Sequence, residues 1–154
     1  MVRPDSPLGT ISSWIVVADE FQALFYTREK KFGPLQEFSS LQNETARVKL
    51  ENLVSDRGGR SFDSQGQGRH TYTNEKSDTK AHSNIVFAKI IAERIREGSR
   101  GRKFDRLGVI AAPRFLGVLR NALSKAGVEA DLTIDKEVTG RDTAFIQKLL
   151  DEHQ

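Results

Sequence analysis

The chain is predicted to fold as a single α/β domain, a mixed five-stranded sheet with flanking helices and one long exposed loop. Three observations predict this. Trp14 to Ala18 (WIVVA) and Phe104 to Ala112 (FDRLGVIAA) are apolar runs of strand length, as strands buried on both faces require. His82 to Arg96 carries Val86, Phe87, Ile90, Ile91 and Ile95 as a helical apolar stripe. Between the early strands and that helix lies Ser55 to Tyr72 (SDRGGRSFDSQGQGRHTY), with four of the twelve glycines, three arginines and no apolar periodicity. Such a segment cannot bury enough apolar surface to offset the entropy of ordering it. It is expected to be a Gly/Arg-rich loop, and long loops in compact domains usually carry function.

Residues 1–11 are expected to form a flexible arm, because Pro4, Pro7 and Gly9 break any regular pattern. The domain then occupies 12–154. After the first strand, Gln22 to Arg28 alternates Ala23 and Phe25 against Leu24 and Tyr26, and is read as a second strand. Gly33-Pro34 turns the chain into a third, edge strand over Leu35 to Ser39. Short connections make these three an antiparallel meander. Asn43 is placed to cap a helix from about Glu44 to Val54. The loop follows, then a polar bridge over Thr73 to Ala81, then the helix from His82, which Gly98 ends. Pro113 suits the first turn of the next helix, with Phe115, Leu116, Leu119, Ala122 and Leu123 apolar and Gly127 as its C′ residue. Val128 to Ile134 alternates as a half-exposed edge strand, and Asp142 caps a last helix over Thr143 to Glu152. Right-handed crossovers put the fourth strand beside the first and the fifth outside it. The expected strand order is 3-2-1-4-5, a ribonuclease-H-like arrangement.

At 154 residues the chain is long enough for a sizeable core. Its net charge of +3 and pI of about 9.3 permit an anionic partner without requiring one. No apolar run is long enough to span a bilayer, so no membrane insertion is expected. The opening MVRPDSPLGT has no apolar core of a signal peptide. Cysteine is absent, which removes disulfide and thiol chemistry and fits a cytoplasmic chain.

The chemistry-bearing residue types form no catalytic pattern. A two-metal nuclease needs carboxylates converging on cations about 3.5–4 Å apart. Asp19 and Glu20 end the first strand, whereas Asp105 starts the fourth, so these carboxylates belong at opposite ends of the sheet. His70, His82 and His153 make no i, i+3 or i, i+4 ligand pair, and no metal or other cofactor is expected. Ser61, Ser64 and His70 share the loop, but no strand-to-helix elbow presents a serine. Gly58-Gly59 and Gly66-Gln67-Gly68 match neither phosphate-loop pattern, and turns with positive φ account for them. What remains is cationic: Arg57, Arg60 and Arg69 on the loop, and Arg94, Arg96, Arg100, Arg102, Lys103 and Arg106 around a helix-to-strand turn. Flexible cations beside a closely approachable glycine backbone are what phosphate contacts need. Phe62 and Tyr72 are the loop's only stacking candidates.

The runs WIVVADEFQALFY, LVSDRGGRSFDS with GRH, FAKIIAERI, KFDRLGVIAAPRFLGVLRNAL and IDKEVTG carry a resemblance. In this order, from about Trp14 to Arg141, they resemble the bacterial host attachment protein family, proteins required for attachment to host cells. That family is in turn distantly similar to the central domain of archaeal and eukaryotic peptide-chain release factors. There a Gly-Gly-Gln loop precedes a long helix, and its glutamine helps place the water that hydrolyses peptidyl-tRNA. Gly58 and Gly59 match the two glycines, but Arg60 stands at the glutamine position. An arginine carries only donors and a fixed charge, so it cannot hold that water as an amide does. Pelota-type relatives also lack the glutamine and bind ribosomes without hydrolysis. The resemblance therefore implies a binding module with no catalytic residues rather than an enzyme. Its expected contact residues are Asp56, Arg57, Gly58, Gly59, Arg60, Ser61, Phe62, Arg69 and His70. RNA or the ribosome is the expected partner. An indirect adhesion role through host-interaction machinery and release-factor-like hydrolysis are the alternatives.

Overall fold

The computed structural model describes residues 11–30, 32–46, 48 and 66–153, with the backbone alone over 66–78. The first ten residues of the expected arm, most of the helix expected to reach Val54, and positions 55–65 of the expected loop lie outside the described residues.

The two runs buried on both faces form the centre of the sheet. β1 (Ser13–Ala18) pairs in parallel with β4 (Arg106–Ala111) and antiparallel with β2 (Gln22–Arg28). β3 (Gln36–Gln42) pairs antiparallel with the outer side of β2, and β5 (Leu132–Ile134) pairs in parallel with β4. The order is β3-β2-β1-β4-β5, as the alternation of strands and helices predicts. Period two sorts β1 cleanly. Trp14, Val16 and Ala18 enter one core with Leu107, Val109 and Ala111, while Ile15 and Val17 enter a second with Ile110.

The first core is covered by α1 (Gly66–Arg100) and α2 (Pro113–Lys125), the second by α3 (Thr143–His153). On α1 the buried face is Phe87, Ala88, Ile91, Ala92 and Ile95. Val86 and Ile90, expected in the same stripe, are exposed, because the i+4 rows of 87-91-95 and 88-92 face the sheet. α2 starts at Pro113 and ends before Gly127 at φ +76°, the left-handed residue that turns the chain. Asp142 caps α3, its Oδ1 accepting from Phe145 N at 2.9 Å.

Three boundaries differ from expectation. β3 begins and ends later than Leu35 to Ser39, because pairing with β2 continues to Gln42 while Leu35 leaves the sheet for the second core. β5 keeps only three of the seven expected residues. Ahead of it Asp131 ties to the edge of β4 instead, its N–H donating to Leu107 O and its Oδ2 accepting from Leu107 N. The main helix starts at Gly66 rather than His82, so residues 66–72 of the expected loop and the whole polar bridge are helical. That part carries no apolar stripe to announce it. A helix nucleated by the buried turns downstream propagates at little cost per residue, and no proline stops it.

α1 runs antiparallel to β1. Ser83 lies at the C-terminal end of β1, where Asn43 bonds it. Gly98 lies at the other end against Trp14, where an added Cβ would sit 2.4 Å from the ring. The helix from Ser83 to Gly98 spans about 22 Å, the length of a six-residue strand at about 20 Å. The seventeen residues from Gly66 to His82 extend the helix beyond the sheet edge by roughly 25 Å. Trp14 also meets Phe104 and Phe38 at centroid distances of 4.8 and 4.9 Å, an aromatic cluster that seats this end of α1.

Candidate functional site

The chain on either side of the segment singled out by its glycines and arginines meets at one place, where Asn43 bonds Ser83. Asn43 follows β3, and its N–H donates to Phe21 O at 2.8 Å. Its Oδ1 accepts from Ala46 N at 3.3 Å, capping the helical turn at 44–46 as expected. Its Nδ2 donates to Glu20 O at 2.9 Å and to Ser83 Oγ of α1 at 3.1 Å. Glu20 in turn pairs with Lys80 at 3.3 Å. The stretch of sequence between β3 and the packed turns of α1, residues 44–82 (the excursion), thus has its two flanks pinned together, and both are tied to the β1–β2 turn. Asn43 is only 6% exposed, so these bonds compete little with water.

The turn itself is locked. Asp19, 7% exposed, accepts from Phe21 N and Gln22 N at 2.8 and 2.9 Å through Oδ1. Its Oδ2 accepts from Thr139 Oγ1 at 2.7 Å. Thr139 belongs to the IDKEVTG run, so the tail of the domain braces the same edge. Asp105 lies at the opposite end of the sheet, as expected, where its Oδ2 accepts from Ser12 N at 3.0 Å. Among the described residues no three histidine or acidic side chains gather as a metal site would require. His82 is exposed, and His153 Nδ1 lies 2.9 Å from Leu149 O within α3.

Of the expected contact residues, Asp56, Arg57, Gly58, Gly59, Arg60, Ser61 and Phe62 lie outside the described residues. Arg69 and His70 do not sit on a loop: they fall within the first five residues of α1. The second group of cations is divided by the fold. Arg94 belongs to the core wall, donating to Ser39 Oγ at 2.7 Å and lying 5.6 Å from the centroid of the Phe25 ring. Arg96 pairs with Glu93 at 3.2 Å. Arg100, Arg102, Lys103 and Arg106 are exposed at the far end of α1, by the N-terminal ends of β1 and β4. They form no common patch with the base at Asn43.

Sequence reasoning singled out Asn43 as a cap, but not as the clasp to α1, and passed over Thr139 and Lys80. The polar donors of a cap residue reveal only its local partner; the signal for the rest lies in contacts 40 or more residues away.

No helix among the described residues is long and apolar enough to cross a membrane. Comparison with curated proteins finds no match. The family described as "Protein required for attachment to host cells" matches residues 14–150, which takes in β2 to β5, all of β1 but Ser13, the clasp at Asn43 and the brace at Thr139. The chain belongs to this host attachment family.

Proposed function

We propose that the protein is a non-catalytic binding module of the host attachment family, which presents residues 55–72 to RNA on the ribosome. The observation that carries this reading is the clasp of Asn43 on Ser83, which fixes both ends of the excursion to a rigid sheet edge. Binding elements are commonly displayed this way by stable scaffolds. Arg57 and Arg60 beside Gly58 and Gly59 supply cations next to a backbone that admits close approach. The N-terminus of α1, with Arg69 beside it and no acid in its first turn, favours phosphate as well. The sequence resemblance to the release-factor loop, with Arg60 in place of the glutamine, favours ribosome binding without hydrolysis.

Co-sedimentation of the purified chain with ribosomes at low and high salt tests this. The expected result is pelleting at low salt that is lost as salt rises. Pelleting that is absent at low salt refutes the reading. A second reading, a role in host interaction, is favoured by the family itself. Ribosome binding places the protein in the cytoplasm, and cell fractionation separates the two: a direct adhesin must be found at the surface.

A further inference from the structure

β3 is the outer strand of the sheet, and its outer edge pairs with no backbone among the described residues. Sheet edges are commonly guarded by lysine, proline or charge. β3 (QEFSSLQ) has no lysine and no proline, and its one charge is Glu37. Phe25 pairs with Ser39 and Tyr26 with Glu37, so Phe38 is the extra residue of a bulge. Beyond that bulge, Ser39 to Gln42 pair with β2 in regular register.

The helix-covered face beside this edge is apolar. Val86, Ile90 and Arg94 form one i, i+4 row of α1. Arg94 donates to Ser39 Oγ, so the row runs along the β3 side of the helix. Val86 and Ile90 are 42% and 50% exposed there. Phe38 meets Trp14 and Phe25 on the same face and is 44% exposed, while Leu41 is half-buried against the same core. Apolar side chains exposed singly are ordinary, but a continuous shelf beside an unpaired strand edge is the form of a docking surface.

Two features fit a second copy of this chain to the shelf. The first is charge. Lys89 comes before Ile90 on α1, Glu93 and Glu97 come after it, and all three are exposed. They lie on the rows next to Val86 and Ile90. An antiparallel copy therefore sets Lys89 of each chain toward Glu93 of the other. The second is register. Facing residues of an antiparallel pair must share a face, so a two-fold axis can cross the β3 pair only at the level of a residue. Measured from the bonded pair Asn43 and Ser83, Ser40 lies about 10 Å along β3. Ile90 lies about 10 Å along α1 from the same point. One axis at the level of Ser40 thus passes the middle of the apolar row and the change of sign together.

We propose that β3 pairs antiparallel with β3 of a second copy about a two-fold axis through Ser40, perpendicular to the sheet. The two five-stranded sheets become continuous, and Leu41 of each copy faces Ser39 of the other. The two shelves meet over this seam, so the contact is isologous and closes as a dimer. The excursion at Asn43 takes no part in the pairing, and the inference is independent of the ribosome reading.

Sedimentation velocity of the full chain over a concentration series is expected to show a species of twice the 17.3 kDa chain mass. The chain has no cysteine, so Ser40→Cys carries a single thiol. Facing residues of paired strands lie about 4.5–5.5 Å apart at Cβ, so a short thiol cross-linker should join two Ser40→Cys chains. Thr133→Cys, exposed on the opposite edge strand β5, should stay uncross-linked. Ile90→Lys, at an exposed helix position, should raise the dissociation constant of the dimer tenfold or more with unchanged circular dichroism. A 17.3 kDa monomer throughout the series overturns the proposal. So does a dimer that Ile90→Lys leaves as tight, or one cross-linked through Thr133→Cys and not through Ser40→Cys.

Discussion

Asn43→Ala removes the three side-chain bonds of Asn43 at the base of the excursion at once and leaves the Glu20–Lys80 pair in place. The helix cap from Oδ1 to Ala46 N is worth about 1 kcal/mol. The two bonds from Nδ2, to Glu20 O and Ser83 Oγ, each contribute about 1 kcal/mol net. Ser83 Oγ is buried, so leaving it unsatisfied adds to the loss, and the total is roughly 2–4 kcal/mol. Stability of a domain this size is typically about 5–15 kcal/mol, so the variant still folds. Urea denaturation measures the loss directly. Ser83→Ala alone should cost about 1 kcal/mol, and a double-mutant cycle should return about 0.5–1.5 kcal/mol of coupling between the two sites. Hydrogen exchange should also quicken at the α1 amides around Lys80 to Ser83, because the helix loses its tie to the β1–β2 turn. A loss below about 0.5 kcal/mol, or strict additivity with Ser83→Ala, would show that the clasp does not hold the excursion.

Other sites carry equally specific expectations. Gly98→Ala drives a methyl into the Trp14 ring and should cost about 1–3 kcal/mol; Trp14 is the only tryptophan, so its fluorescence reports the displacement, and an unchanged spectrum contradicts it. Asp151→Ala strands the buried Arg28 charge. Fully buried pairs lose about 3–5 kcal/mol on such a break, and because Asp151 is a third exposed about 2–3 kcal/mol is expected by urea titration. Burial, and then the charge of Glu37, raise the Tyr26 phenol above its usual 10.0, against a lowering hydrogen bond with Thr143. The native state therefore keeps a proton that the unfolded state loses. Stability should fall as pH rises from about 10 to the higher folded value, and absorbance titration should show Tyr26 ionising after a tyrosine in the unfolded chain.

The sheet was legible in the sequence because its central strands are buried on both faces. WIVVA and LGVIA have no other comfortable environment, and the meander follows from the short connections around Phe21 and Gly33-Pro34. Pro113, Gly127 and Asp142 mark helix ends through local backbone chemistry, and each stands where that chemistry puts it. The first half of α1 was not legible, since a polar helix extended from a buried one carries no periodicity of its own. Nor was Arg28: at the end of a strand it reads as a solvated charge, and the partner that lets it be buried is 123 residues away. The clasp was half legible. An asparagine before a helix announces its cap, but the amide nitrogen is free to choose any neighbour the fold supplies.

The salt dependence of ribosome binding, compared between the natural chain and Arg57→Ala with Arg60→Ala, tests the proposed function most directly. Two lost phosphate contacts should lower the log–log slope by about 1.4, at roughly 0.7 per contact with single-stranded nucleic acid, and weaken binding at low salt. An identical slope and affinity in the double variant would contradict the account, because the cations of this segment would then play no part in what the protein holds.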